Sequence, residues 1–73
     1  MNNDNTEPQT ATGTVVEALP NTEFRVLRDD DGSERIAYLG GKMKKYRIRV
    51  LIGDKVTIEV NPYEGKDRIV KRL

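Results

Sequence analysis

From residue 14 to the end of the chain, apolar positions fall in short β-branched runs or alternate with polar ones. Residues 14–19, Thr-Val-Val-Glu-Ala-Leu, predict a first strand. Pro20-Asn21 follows as a turn signal. Residues 23–28 predict a second strand, with Phe24 and Val26 on one face and Arg25 on the other. Asp29-Asp30-Asp31-Gly32 reads as a hairpin turn in which Gly32 takes positive φ, and residues 34–39 return as a third strand. Gly40-Gly41 then breaks the pattern. Residues 42–46 read either as one short helical turn or as a loop. Arg47-Ile48-Arg49-Val50 alternates, with both arginines on one face and Ile48 and Val50 on the other, so that a rigid strand there would hold both arginines outward. After the turn signal Gly53-Asp54, residues 55–60 give the clearest strand, with Val56, Ile58 and Val60 inward. Asn61-Pro62 ends it, Glu64-Gly65-Lys66-Asp67 predicts a turn, and residues 68–71 predict the last strand.

The expected fold is therefore all-β. It has five strands about ten residues apart, three and then two, with a basic interruption between the third and fourth. A five-stranded closed barrel of the OB type fits this order, and an SH3-like barrel is the alternative that strand count leaves open. Residues 1–12 carry almost no apolar side chains and cannot offset the entropy of ordering, so they are expected to form a disordered tail. Residues 13–73 are the expected domain.

With 73 residues, 36% of them hydrophobic, the chain has material for one small core. No run approaches the roughly 20 apolar residues of a membrane span. Met1-Asn2-Asn3-Asp4-Asn5 lacks the basic-then-apolar order of a signal peptide, so a cytoplasmic protein without a membrane partner is expected. There is no cysteine and no histidine. That excludes disulfides, cysteine-based zinc sites and any nucleophile paired with histidine. Two chemical lookalikes also fail. The acidic turn resembles a calcium loop, but Leu27 and Tyr38 occupy its first and last ligand positions. Gly40-Gly41-Lys42 resembles a phosphate loop, but Met43 follows the lysine and Ile36 stands where the first glycine belongs. The only serine, Ser33, has no base beside it. A protein that is not an enzyme and needs no cofactor is expected.

Charge changes the picture most. The net charge is +1, but the first twelve residues hold two acids and no base, leaving 13 basic against 10 acidic residues in the rest. Lys42, Lys44, Lys45, Arg47 and Arg49 fall within eight residues that contain no acid, and Lys66, Arg68, Lys71 and Arg72 gather near the C-terminus. Two basic clusters on a small domain fit either a polyanionic partner or two solvated faces. OB barrels bind nucleic acid through strands two and three and the flanking loops, and Arg25, Arg28 and Arg35 lie on those strands. Phe24 shares a face with Val26 and is expected in the core. Tyr38, Tyr46 and Tyr63 are too scattered for a ladder of base-stacking platforms, and each has an alternative role packing at the barrel edge. This favours docking on folded RNA by charge and shape.

The sequence resembles bacterial translation initiation factor one from Gly13 to about Arg72. The resemblance rests on Gly13-Thr14-Val15-Val16-Glu17-Ala18-Leu19-Pro20-Asn21, Phe24-Arg25-Val26, Gly41-Lys42-Met43-Lys44, Ile48-Arg49-Val50-Leu51, Gly53-Asp54-Lys55-Val56, Pro62-Tyr63 and Arg68-Ile69. It implies an S1-type OB barrel that acts as a monomer. It implies binding in the aminoacyl-tRNA site of the small ribosomal subunit, to ribosomal RNA and a neighbouring ribosomal protein. There it blocks premature tRNA entry and assists the other two initiation factors in start-site selection. Lys42, Met43 and Lys44 are then expected to contact RNA, with Arg49 and Arg68 on the same side. Lys45, Arg47, Arg25, Tyr38 and Lys66 complete the expected RNA-binding set. The chain departs from the family pattern in four places. Tyr38 replaces a common His, and Lys44 replaces an Arg, keeping charge but losing the bidentate fork. The turn at 64–67 is shorter, and the tail is longer. A general RNA chaperone of the cold-shock type lacks support, because its aromatic-rich strand motif is missing. A peptide-binding adaptor lacks the aromatic groove it needs.

Overall fold

The computed structural model describes residues 9–61 and 65–73. The chain forms β1 (Gln9–Leu19), β2 (Glu23–Arg28), β3 (Glu34–Leu39), α1 (Gly41–Lys45), β4 (Lys55–Val60) and β5 (Lys66–Arg72). The strands close into a barrel in the order β1-β2-β3-β5-β4. β3 and β5 run parallel, and every other pairing, including the closing pair β1 and β4, is antiparallel. That order, with a helix between β3 and β4, is the OB arrangement, and it removes the SH3-like alternative.

Alternation builds the core. Val15, Phe24, Val26, Ala37, Val56, Ile58 and Ile69 point inward from all five strands and are buried, and Met43 and Val50 join them from outside the sheet. Val60 is only partly covered. β1 must bend to reach β2 and β4 together, and Gly13 pairs with Arg28 on one side and Val56 on the other. A Cβ at Gly13 would lie 2.6 Å from a Val26 methyl and 2.7 Å from the Leu27 carbonyl oxygen, so only glycine permits that closeness. One β-bulge between Val15 and Glu17 adds curvature. Asn21 and Thr22 carry the β1–β2 connection with φ of 64° and 60°. Gly32 has φ +72° in the β2–β3 hairpin, as its position in the acidic turn predicts.

Three expectations need correction. Gln9, Thr10, Ala11 and Thr12 are not tail. They pair in register with Val60, Glu59, Ile58 and Thr57, so β1 begins at Gln9. Backbone hydrogen bonds to β4 hold this stretch, and its side chains are almost all polar, which is why hydrophobic pattern missed it. The rest of the expected tail, residues 1–8, lies outside the described residues. Residues 47–50 form no strand, although Arg47 and Arg49 are exposed and Val50 is buried as the alternation implied. Lys66 and Asp67 belong to β5 rather than to a turn, because Lys66 pairs with Ile36 and Asp67 with Ala37. Of that expected turn, Glu64 lies outside the described residues, as do Pro62 and Tyr63.

Asp67 is wholly buried. Arg35 holds it with a two-pronged pair, Nε to Oδ2 at 3.0 Å and Nη2 to Oδ1 at 2.8 Å, while the Asn61 amide also donates to Oδ1 at 3.2 Å. The pair ties β3 to β5 across their parallel seam, and the carboxylate raises the Arg35 pKa further above its already high value.

Candidate nucleic-acid interface

α1 is a short helix with a built-in anchor. Gly40-Gly41 ends β3, and the Gly40 amide donates to the Ile69 carbonyl at 2.8 Å. A Cβ at Gly40 would lie 2.9 Å from that same oxygen, so glycine lets the helix start directly against β5. Within α1, Met43 points into the barrel and is 1% exposed, while Lys42, Lys44 and Lys45 face solvent. The expected RNA contact at Met43 therefore falls on a residue whose side chain is part of the core. That side chain pins the helix that carries the lysines.

The helix ends in a paired-amide cap. The Tyr46 amide donates to the Lys42 carbonyl at 3.0 Å, Arg47 to Lys44 at 3.1 Å, and Ile48 to Met43 at 3.0 Å. The last two bonds are those of a Schellman motif, with Arg47 in its left-handed position at φ 54°. Residues 48–50 then cross the barrel end with Ile48 and Val50 against the core. Arg72 steadies this crossing, its Nη1 donating to the Arg49 carbonyl at 3.1 Å. The Lys45 ammonium sits 5.5 Å from the centre of the exposed Tyr46 ring.

Charge is sorted between this segment and the rest of the barrel. Arg25 lies 2.9 Å from Glu17 and 3.4 Å from Glu34, and Lys66 lies 2.7 Å from Glu23. Arg68 pairs with Glu59 at 3.3 Å, Arg28 with Asp30 at 2.6 Å, and Lys55 with Asp29 at 2.8 Å. Among the described residues, Lys42, Lys44, Lys45, Arg47 and Arg49 have no carboxylate partner, and neither do Lys71 and Arg72. The sequence-predicted set therefore divides. Five cations form one uncompensated segment. Arg25 and Lys66 are neutralised locally by acids. Arg68 borders a cleft of about 270 Å³ together with Gly40, Gly41, Lys42, Met43, Glu59 and Val70. Tyr38, half-buried, lines a smaller hollow with Arg68, Glu59, Val60 and Asn61. Arg72 lay outside the sequence-predicted set. Its place in a basic C-terminal run was visible, but its bond to residue 49 was not. Leu51 and Ile52 continue past Arg49 as an exposed apolar pair. No helix among the described residues is long and apolar enough to cross a membrane.

The acidic hairpin lies among the paired charges. The Lys55 ammonium, and after it the Thr12 hydroxyl, hold the Asp29 carboxyl below its ordinary pKa. The Ser33 amide and hydroxyl do the same for Asp31. A carboxyl whose folded pKa is depressed stabilises the fold above its unfolded value and loses that contribution as pH falls through the folded one. The melting temperature is thus expected to drop as pH is lowered from about 5 toward about 2. A combined Asp29→Asn and Asp31→Asn variant should melt lower than the parent at neutral pH and lose less on acidification. Parallel acid profiles for the two proteins would show that these carboxyls contribute nothing.

Fold and charge together define a small OB-fold protein with an uncompensated cationic segment of five residues anchored through Met43 and Gly40. The pattern of the family Translation initiation factor 1A / IF-1 matches residues 1–73. Translation initiation factor IF-1 of Rickettsia akari (strain Hartford) is 52% identical over 63 residues, covering 84% of this chain and 86% of the relative. The factor of the same name from Rickettsia felis is 52% identical over 62 residues, with the same coverage of both. Among solved structures, the solution structure of translation initiation factor IF-1 from the Wolbachia endosymbiont of Brugia malayi superposes with a TM-score of 0.75 at 38% identity, covering 89% of this chain and 77% of that one. YjeQ from Thermotoga maritima superposes with a TM-score of 0.74 at 22% identity, covering 89% of this chain and 23% of its own. That likeness shows the shared barrel alone. The chain belongs to the Translation initiation factor 1A / IF-1 family, and it is a translation initiation factor rather than an enzyme.

Proposed function

We propose that this chain binds the small ribosomal subunit in its aminoacyl-tRNA site, as a monomer in the cytoplasm. There it blocks premature tRNA entry and assists the other two initiation factors in start-site selection. The observation that carries the reading is the uncompensated run of Lys42, Lys44, Lys45, Arg47 and Arg49, fixed by Met43 and the Gly40 contact. Cations without acid partners are free to replace condensed counterions on RNA phosphates, and each one that does adds about 0.7–0.9 to the salt slope of binding. A pre-set surface also loses little conformational entropy on docking. Arg68 extends this face along the cleft beside α1, and Tyr38 lines the smaller hollow beside Arg68. Arg25, Lys66 and Arg68 contribute less, because RNA must first compete with their carboxylates. A neighbouring ribosomal protein completes the site. The mechanism is passive occupancy, in which a fitted basic surface excludes a competitor and no bond is made or broken.

Co-sedimentation with purified small subunits, across a salt series, tests the reading. Large subunits and unstructured RNA serve as controls. One-to-one binding to small subunits alone is the expected result. A Lys42→Glu, Lys44→Glu variant should lose about a hundredfold or more in affinity, since two contacts become two repulsions, while its melting temperature stays close to the parent's. Equal binding of the parent to all three partners, or full binding by the variant, would overturn the proposal.

A further inference from the structure

Away from the segment that follows α1, the barrel carries a second surface with the parts of a nucleic-acid site. OB barrels bind oligonucleotides on the face of their second and third strands. Strand register lays that face out in two rows. Glu17 stands opposite Arg25, Arg25 opposite Ile36, and Ile36 beside Lys66. In the next row Glu23 stands opposite Tyr38, and Tyr38 beside Arg68. Their chain neighbours Phe24 and Ala37 are buried, so these side chains share the outer face. Arg68 borders the cleft beside α1 and belongs to the contact already proposed. Arg25, Lys66 and the half-buried Ile36 and Tyr38 remain. They offer a strand of RNA charge for its phosphates and flat or apolar surface for its bases.

Glutamates close this face. The Arg25 guanidinium is spanned by Glu17, 2.9 Å from Nε, and Glu34, 3.4 Å from Nη1. The Lys66 ammonium lies 2.7 Å from Glu23. Three carboxylates meet two cations, which leaves this group of side chains net negative. Exposed ion pairs add little to stability, so holding the fold does not account for them. They do act on RNA. A phosphate that approaches Arg25 or Lys66 must displace a carboxylate of its own sign, and the displaced carboxylate then repels it. On the cationic segment that competition is absent.

We infer that Glu17, Glu23 and Glu34 are specificity determinants, which close the β2–β3 face to single-stranded RNA and confine RNA to the uncompensated segment. The inference rests on the proposed ribosomal reading and deepens it. Selection of the right RNA comes from where the acids sit as well as from where the cations do.

A Glu17→Gln, Glu23→Gln, Glu34→Gln variant tests it, with a labelled oligouridylate as the unstructured RNA and purified small subunits as the proposed target. Glutamine keeps the shape and removes the charge. The variant should melt close to the parent and bind the oligouridylate about tenfold more tightly at low salt, with a salt slope steeper by about 1.4, as two freed cations each add about 0.7. Its affinity for small subunits should stay within about threefold of the parent's. Glu23→Gln alone frees only Lys66 and should give about half the rise in slope. Adding Arg25→Gln and Lys66→Gln to the triple variant should return oligouridylate binding to the parent's level. Asp29→Asn, Asp30→Asn, Asp31→Asn is the charge-matched control. It removes three acids from the hairpin tip instead and should gain about threefold at most. If the two triple variants gain alike, net charge alone governs RNA binding and the inference fails. It fails too if the folded glutamine variant binds oligouridylate like the parent, and small-subunit binding by the parent then leaves the ribosomal reading standing. A parent that ignores small subunits, beside a glutamine variant that gains oligouridylate, overturns the ribosomal reading and keeps the closed face.

Discussion

Ile58→Asp is expected to leave the chain unfolded at room temperature. Ile58 is fully buried in the middle of β4, opposite Ala11 of β1 and Ile69 of β5. The substitution removes about 1.5–3 kcal/mol of apolar burial. It also places a carboxylate among apolar side chains, which costs several kcal/mol more or forces the group to take up a proton. A chain of this size has a total stability of only about 4–11 kcal/mol, so little or none remains. Circular dichroism should show a lost β signal and no cooperative melt. Ile58→Ala is the control. It forfeits burial without adding charge, and it should still fold, about 2–4 kcal/mol less stable. A cooperative Ile58→Asp melt within a few degrees of the parent would mean that the side chain does not face the core.

The second large effect lies at the Arg35–Asp67 pair. Arg35→Met is expected to destabilise the fold by about 3 kcal/mol, because it strips a buried carboxylate of its cation and leaves the Asn61 amide to hold it. Asp67→Asn alone should be milder, since the amide oxygen still accepts from Asn61 and the half-buried arginine can turn toward water. The double variant should recover part of the loss from Arg35→Met, because no isolated buried charge remains. Urea unfolding of the four proteins gives the coupling directly. Additive losses would show that the two-pronged contact seen at 2.8 and 3.0 Å contributes no coupling energy.

The same pair marks where sequence stops being legible. β2 and β4 could be read because Phe24 and Val26, and Val56 and Ile58, alternate with polar or charged neighbours. Nothing local marks Asp67 as buried. Its partner lies 32 positions earlier and reaches it only through the parallel β3–β5 seam. The first turn of β1 was hidden for a related reason. Gln9 to Thr12 are held by backbone bonds to β4, and those leave no trace in side-chain pattern. Alternation misled once, at residues 47–50, where the chain places Val50 inward from an irregular crossing. The site was legible as a cluster of charge, but not as a sorting of charge. Sequence counts Arg25, Lys66 and Arg49 as equals, whereas strand register gives two of them acid partners and leaves the third bare. Met43 sits between two lysines and reads as their companion, but helical spacing turns it into the core.

The closing seam of the barrel has a consequence for how the molecule comes into being. Gln9 pairs with Val60 and Gly13 with Val56, so the strand synthesised first finishes its ladder with a strand synthesised late. Closing a loop of that length costs entropy before any of those contacts form. The local hairpin of β2 and β3 can assemble early, but β1 keeps an open edge until β4 arrives, and β3 waits for β5. Folding is therefore expected to be limited by long-range pairing. The nascent chain is therefore expected to remain an open, unclosed sheet until β5 has emerged. Only a chain whose last strand is free can present the cationic segment, because α1 is seated against β5.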